Sequence, residues 1–260
     1  MNPLNAVFRL SLAVLFKSKR TLIIGMLCLL PALGSLIGTL LILGKLGPSD
    51  VTGFGLISYI IVNAYVYVLL LVVTLFYGTA LVSDEIEDKT ITYLFMRPVP
   101  KPTIYVGKYL AYLVVGLALL LPSAALTFLI AMFADPAGEA ARHIPVLLKD
   151  LGVLALGVLA YGALFALVGA QTKRPVFFGL GFSIVWETIV SFIPGYLNKL
   201  TIKHYLISLL PHPAGERGIT GIFEAATPAP VAITVLLLAT AGLLALGAWL
   251  FANREYVLEQ

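Results

Sequence analysis

Charge is scarce in this chain. Only 12% of its 260 residues are Asp, Glu, Lys or Arg, against about 25% in ordinary soluble domains. Hydrophobic residues make up 60%, and the mean hydropathy is +1.01. A soluble fold cannot cover so much apolar surface with so few charges, so the chain reads as an integral membrane protein. Cysteine is nearly absent. Cys28 stands alone in an apolar run, which excludes an internal disulfide and a Cys-based metal cluster. Four Met and one Cys argue against a soft-metal path. His143, His204 and His212 are dispersed along stretches expected outside the membrane. There is no G-x-x-x-x-G-K-[ST]. "LGKLGPSD" around Lys45 has Gly-Lys without the following hydroxyl, so the chain does not cradle a nucleotide phosphate by itself. H-E-x-x-H and G-x-S-x-G are also missing, and with them the metal or nucleophile clusters a membrane hydrolase needs. No cofactor is implied. The net charge of +4 reads as topology and not as nucleic-acid binding.

What is present is a series of apolar runs about 20 residues long, enough to cross a bilayer. Six spans are expected: Thr21–Leu43, Leu56–Val82, Tyr109–Ala134, Val146–Ala170, Val176–Tyr196 and Val231–Ala252. The fourth starts untidily at Lys149 and Asp150. The fifth contains Glu187 and runs into Pro194-Gly195. With the N-terminus inside, cytoplasmic pieces hold eleven of the 17 Lys and Arg residues and outer pieces six, so both ends are expected inside. The chain is expected to be one transmembrane domain over 1–260 in the cell membrane, without a cleavable signal peptide.

Residues 2–20 read as an amphipathic helix lying flat in the inner interface. Leu4, Val7, Phe8, Ser11, Val14 and Leu15 share one side; Asn5, Arg9, Lys19 and Arg20 take the other, which Leu12 and Phe16 blur. The loop 197–230 is the longest outside, and its "YLISLLPHP" is too short to cross, so a re-entrant or surface helix is expected. Small residues at Gly34/Gly38, Gly162/Ala166/Ala170 and Ala241/Ala245 fit close helix packing in lipid.

Two polar points lie inside spans. Glu187 is the only acid well within one, and a carboxylate there must face a cavity, find a partner or be protonated. It either lines a translocation path or joins two helices, or span five is broken and Glu187 sits near water. Asn63, amid Tyr59, Tyr65 and Tyr67, fits helix–helix hydrogen bonding or the path wall.

The most polar long stretch lies between spans two and three, "SDEIEDKTITYLFMRPVPKPTIYVGKYLA" from Ser83. Ser83 or Asp84 suits a helix start, with Glu85, Glu87 and Asp88 near its positive dipole end. Ile86, Thr90, Tyr93 and Leu94 make a stripe, and Arg97-Pro98 stops the helix. Pro98, Pro100 and Pro102 stiffen the turn before Lys101 and the next span. The product is a short, rigid, charged hairpin over 84–97.

On these residues the chain resembles the permease subunits of ABC-2 type ABC transporters. Glu85, Thr90, Leu94, Arg97, Pro98, Val99, Gly107 and Lys108 stand as in that family's second loop, with Lys89 where glycine is common. The resemblance extends to the plan: an all-α membrane fold with an interfacial helix, six spans and both ends inside. It implies a coupling helix at 84–97 that docks on a separate cytosolic ATPase subunit in two copies. It also implies a second permease, as homodimer or heterodimer. Asp84, Glu85, Glu87, Asp88, Thr90, Leu94, Arg97 and Lys101 are the expected ATPase-coupling residues. The chain would then be a transporter subunit and not itself an enzyme. An ion-coupled secondary transporter would need ionisable groups at midplane, where only Glu187 qualifies. An intramembrane enzyme is disfavoured by the missing catalytic clusters.

Overall fold

The computed structural model describes residues 3–46, 51–87, 99–136, 139–172, 174–190, 197–212 and 227–253. Among these, every regular element is a helix. In chain order they are α1 (Pro3–Lys17), α2 (Lys19–Leu43) and α3 (Gly53–Ile60). α3 passes without a break through a π-helical stretch, Ile61–Leu69, into α4 (Leu70–Glu87). Then come α5 (Lys101–Met132), α6 (Glu139–Gln171) and α7 (Pro175–Phe182), which continues as a second π-helical stretch, Ser183–Ile189. A short 3-10 turn, Asn198–Leu200, precedes α8 (Ile202–Leu209) and α9 (Ala229–Asn253).

Five helical runs are long and apolar enough to cross a membrane: α2, the α3–α4 run, α5, α6 and α9. They match five of the six expected spans. The remaining one, Val176–Tyr196, is described to Val190, as α7 and the π-helical turn. Its apolar part, Pro175–Glu187, is shorter than the other five.

α6 is central. It packs against α4, α5 and α9, while α5 also carries α1 and α2 on its other side. Glycine sets the closest of these approaches. A Cβ on Gly162 would enter the Tyr112 ring, and one on Gly169 would lie 2.5 Å from Thr79 O. Polar side chains then close onto neighbouring backbones, as they must where no water competes. Tyr112 Oη donates to Val158 O at 2.8 Å, and Tyr109 Oη donates to Leu159 O at 2.8 Å. Tyr65, in the first π-helical stretch, shares hydrogen bonds with Ser123 Oγ (2.7 Å) and Thr127 Oγ1 (2.8 Å) on α5. Ser123 in turn donates to Cys28 O on α2. Cys28 is buried and reduced, as its isolation required.

The expected small-residue stripes divide. Gly162, Ala166 and Ala170 are buried in α6. Gly38 meets Leu56, but a Cβ on Gly34 would touch nothing within 4 Å. Ala241 and Ala245 are exposed; Gly247 is the small residue of α9 that packs, against Tyr105.

α1 lies across the start of α5, and Ser18 breaks it from α2. Ser18 Oγ accepts from Arg20 N at 3.2 Å, capping α2. The face turned to the bundle differs from the expected one in a single turn. Leu12 packs with Val7 and Leu15 on the core, whereas Val14 is 62% exposed. At the opposite end of the bundle Asp135, after α5, accepts from Gly53 N (2.7 Å) and Phe54 N (2.9 Å) and caps α3. There Phe54 stacks on His143, with ring centroids 4.2 Å apart, and lies 6.1 Å from His212. His212 Nε2 sits 3.0 Å from the buried Asp150 carboxylate. His143 and His212, dispersed in sequence, are therefore neighbours. Among the described residues no group of His, Cys, Asp and Glu has the geometry of a metal site.

Candidate functional site

Two regions hold the residues singled out in the sequence. The first is built around Glu187. Pro175 at the first turn presets the helical φ of α7. From there a stripe four residues apart faces inward: Pro175, Gly179, Ser183 and Glu187 are buried. Ile184, Val185 and Ile189 beside it stay more than half exposed. Gly179 lets the stripe settle between Leu75 of α4 and Phe165 of α6. The wider π-helical turn delivers Glu187 to the bundle, a geometry that recurs at functional sites.

Glu187 is 1% exposed, and the structure gives it three donors. Tyr161 Oη donates to Oε2 at 2.7 Å, Lys203 N to Oε2 at 3.2 Å and Ile202 N to Oε1 at 3.2 Å. The last two are the first N–H groups of α8. Thr201 Oγ1 accepts the next, from His204, at 3.3 Å. One carboxylate and one hydroxyl thus satisfy most of the donors a helix start leaves open, and the negative charge suits the positive dipole end. Through these bonds the buried Glu187 joins its own turn to α6 and α8.

α8 is the short helix expected within 197–230; residues 213–226 lie outside the described residues. Lys203 points from it into the bundle, 4% exposed, with Nζ 3.5 Å from the Tyr67 ring centroid. Burial pulls its ammonium down to about 8, and the Glu187 charge opposes that shift. Tyr67 belongs to the π-helical stretch that also carries Asn63 and Tyr65. The two sequence candidates, Asn63 and Glu187, therefore sit on two separate π-helical stretches, and Lys203 bridges toward both. Among the described residues Asn63 bonds within its own helix, its Nδ2 donating to Tyr59 O at 2.9 Å. Lys203 and Tyr161 were missed in the sequence. In sequence Lys203 is one more cation of an outer loop, and Tyr161 one more aromatic in an apolar run. His204 Nε2 bonds Thr227 Oγ1 at 2.9 Å, and Thr227 N donates to Ser208 Oγ at 3.2 Å, so α8 also holds the start of α9.

The second region is the end of the bundle that carries α1. The expected helix start at Ser83 or Asp84 is corrected. α4 runs through both to Glu87, and Ser83 Oγ donates back to Thr79 O at 2.9 Å instead of capping. No proline or glycine interrupts 83–87, so nothing stops the helix there. One Arg20 guanidinium nitrogen donates to both oxygens of Asp84, at 2.9 and 2.8 Å, tying α2 to α4. Lys101 Nζ donates to Ala252 O at 3.3 Å and Lys108 Nζ to Leu81 O at 3.0 Å. The first places a cation at the negative end of α9, and the second ties α5 to α4 more than a turn before α4 ends. Asp88, Thr90, Leu94 and Arg97 lie outside the described residues, as do the side chains of Glu85 and Glu87.

A bundle of apolar spans joined by internal hydrogen bonds fits a membrane transport component, and a family comparison agrees with it. The model for ABC-2 family transporter proteins matches residues 15–191, from the end of α1 to just past the Glu187 turn. No curated protein matches the sequence. The match covers more than half of the chain and includes Glu187 and Asp84, with α8 and α9 beyond it, so this multi-pass membrane protein belongs to the ABC-2 family of transporter proteins.

Proposed function

We propose that the chain is the permease subunit of an ATP-binding-cassette exporter. It would work with a separate cytosolic ABC ATPase in two copies and with a second permease. Its six spans would place both termini inside, with Val176–Tyr196 as the fifth, in the cell membrane. Family membership carries this reading. The arrangement of the α1 end supports it. α4 projects as rigid helix to Glu87, and Arg20, Lys101 and Lys108 fasten the helix ends around the point where 88–98 departs and returns. In this reading 84–97 is the coupling helix, and ATPase closure moves it as a lever. The ATPase binds two permease states with different affinity, which supplies the coupling. Glu85, Glu87, Asp88, Thr90, Leu94 and Arg97 are the docking residues. Asp84 and Lys101 transmit the movement into α2 and α9 through their internal partners. Asn63 lines the path, and Glu187 fixes the wall that α6, α7 and α8 build beside it. The three donors on Glu187 favour this role over ion coupling, which needs a carboxylate that exchanges its partner.

The test is co-purification with an ABC ATPase encoded alongside the chain. Glu85→Ala with Arg97→Ala is expected to abolish ATPase capture and to cut permease-stimulated ATP hydrolysis about tenfold. Unchanged capture and hydrolysis in that double variant would sink the lever reading.

A further inference from the structure

α8 lies along one stripe of α6. Asp150, Leu154, Gly157 and Tyr161 recur there at helical spacing, and all four are buried. Tyr161 meets Glu187 at the start of α8. Gly157, a turn nearer the start of α6, makes room for Leu206 of α8, whose Cδ1 would lie 3.2 Å from a Cβ there. Asp150 meets His212 just past the end of α8, with Nε2 3.0 Å from Oδ1 and 3.1 Å from Oδ2. A carboxylate thus pins each end of α8 to α6, Glu187 through Tyr161 at the start and Asp150 through His212 at the finish.

The two pins differ in chemistry. Glu187 takes its bonds from a phenol and two backbone N–H groups, donors that do not change charge near neutral pH. Asp150 takes its bond from an imidazole, the side chain whose charge changes between about pH 5 and about pH 8. Both members of that pair are shut off from water, with side chains 0% and 2% exposed. A carboxylate in such a place needs a cation beside it. With His212 protonated the pair is net neutral and its bond is charge-assisted. With His212 neutral the N–H still donates, but the carboxylate has lost its counter-charge. The neighbouring groups do not replace it. His143 stacks on Phe54, and Asp135 is taken up by the N–H groups of Gly53 and Phe54. Arg142 and Lys149 of α6 are exposed, and Glu139 lies half-buried in its first turn. Lys203 and His204 sit near the start of α8, on Tyr67 and Thr227. We propose that the Asp150–His212 pair is a proton-operated latch on α8. Protonated, it holds the end of α8 on α6; deprotonated, it lets α8 swing on the Glu187 pin and lift Leu206 from Gly157. Closing takes up a proton, so the latched fraction rises as pH falls through the imidazole range and drops as pH rises. The inference does not depend on the direction of transport or on the ATPase.

Hydrogen exchange of the full chain in phosphatidylcholine nanodiscs, corrected for the intrinsic pH dependence of amide exchange, tests this. Protection over residues 206–212 is expected to fall about tenfold between about pH 5 and about pH 8. Residues 202–204, on the Glu187 pin, are expected to keep theirs. His212→Gln retains an N–H donor without the charge and is expected to remove the pH dependence. Asp150→Asn removes the charge that the proton answers and is expected to do likewise, which guards against a folding defect in either variant. His143→Gln is expected to leave the fall intact. The chain has three histidines, so the ring-nitrogen NMR signals of His212 are assigned by their loss in His212→Gln. They are expected to pass from the imidazolium to the neutral pattern over the same pH range in which protection falls. Protection over 206–212 that ignores pH or rises with it, a fall that persists in both His212→Gln and Asp150→Asn, or an imidazole that titrates out of step with protection would each overturn the proposal.

Discussion

α2 and α9 are as apolar as the α3–α4 run and α6, yet only 28% and 22% of their most apolar stretches lie inside the bundle, against 56% for each of the other two. Hydropathy measures fitness for lipid, and a helix facing lipid needs it as much as one facing protein. What separates the two pairs is how many small residues their buried faces carry, and not polar content, since α2 buries Ser35 and Thr39 and bonds both to α5. α6 buries Gly157, Gly162 and Gly169 with four alanines, and α4 buries Thr74, Thr79 and Ser83. On α9 a Cβ at Gly242 meets nothing within 4 Å, and on α2 the same holds for Gly34. Close approach and interhelical hydrogen bonds drive association in a bilayer, because lipid tails are as apolar as leucine.

Paired glycine substitutions are the hardest test of that contrast. Gly169→Val pushes a side chain into the Thr79 backbone, which cannot rotate away. It is expected to cost about 3 kcal/mol or to prevent folding. Gly34→Val is expected to leave the detergent denaturation midpoint where it is. Equal losses at the two sites would break the distinction between inner and outer spans.

The next effect belongs to the polar joint on the inner pair. Glu187→Ala strands Tyr161 Oη and two N–H groups of α8, and is expected to cost about 2 kcal/mol. Glu187→Gln keeps an acceptor and should lose less than half of that in the same denaturation series. Tyr65→Phe removes two hydrogen bonds to α5 and is expected to cost about 1 kcal/mol, near the upper range for such bonds in membranes.

The smallest effect is a pH dependence. Lys203, with Tyr67, Tyr161 and Glu187 around it, is held down to about 8 by burial. Its folded value lies below the unfolded one, so the unfolded chain binds more protons between pH 8 and about 10.5. Stability should therefore rise with pH across that window, and the buried charge costs its full amount below pH 8. Lys203→Met is expected to flatten the rise in midpoint between pH 8 and about 10.

Five of the spans were legible because length and apolarity alone define them. The amphipathic α1 was legible from its period, apart from the exchange of Leu12 for Val14, since a helix bordered by apolar residues all round does not announce which stripe packs. Glu187 stood out as a lone acid in a span, but its partners did not. Tyr161 lies 26 residues before it, and the Ile202 N–H lies beyond Pro194-Gly195 in sequence. Nothing in a one-dimensional period marks a π-helical turn, which rotates Glu187 toward donors that helical spacing alone would not select. The helix start placed at Ser83 failed for a local reason. A serine that bonds its own i−4 carbonyl and one that caps look alike in sequence.

The hydrogen bond from Lys101 to Ala252 has a topological consequence. Residues 101 and 252 begin and end the α5–α9 portion of the chain, and they meet at one place. That portion closes on itself there, with Tyr105 of α5 packed on Gly247 and Phe251 of α9 one turn further in. A strain applied where α5 begins reaches the last turn of α9 without travelling through the three helices between them. A spectroscopic probe on Asn253 would therefore register events at residues 99–101, making the far end of the bundle's last span a reporter for the loop between its second and third.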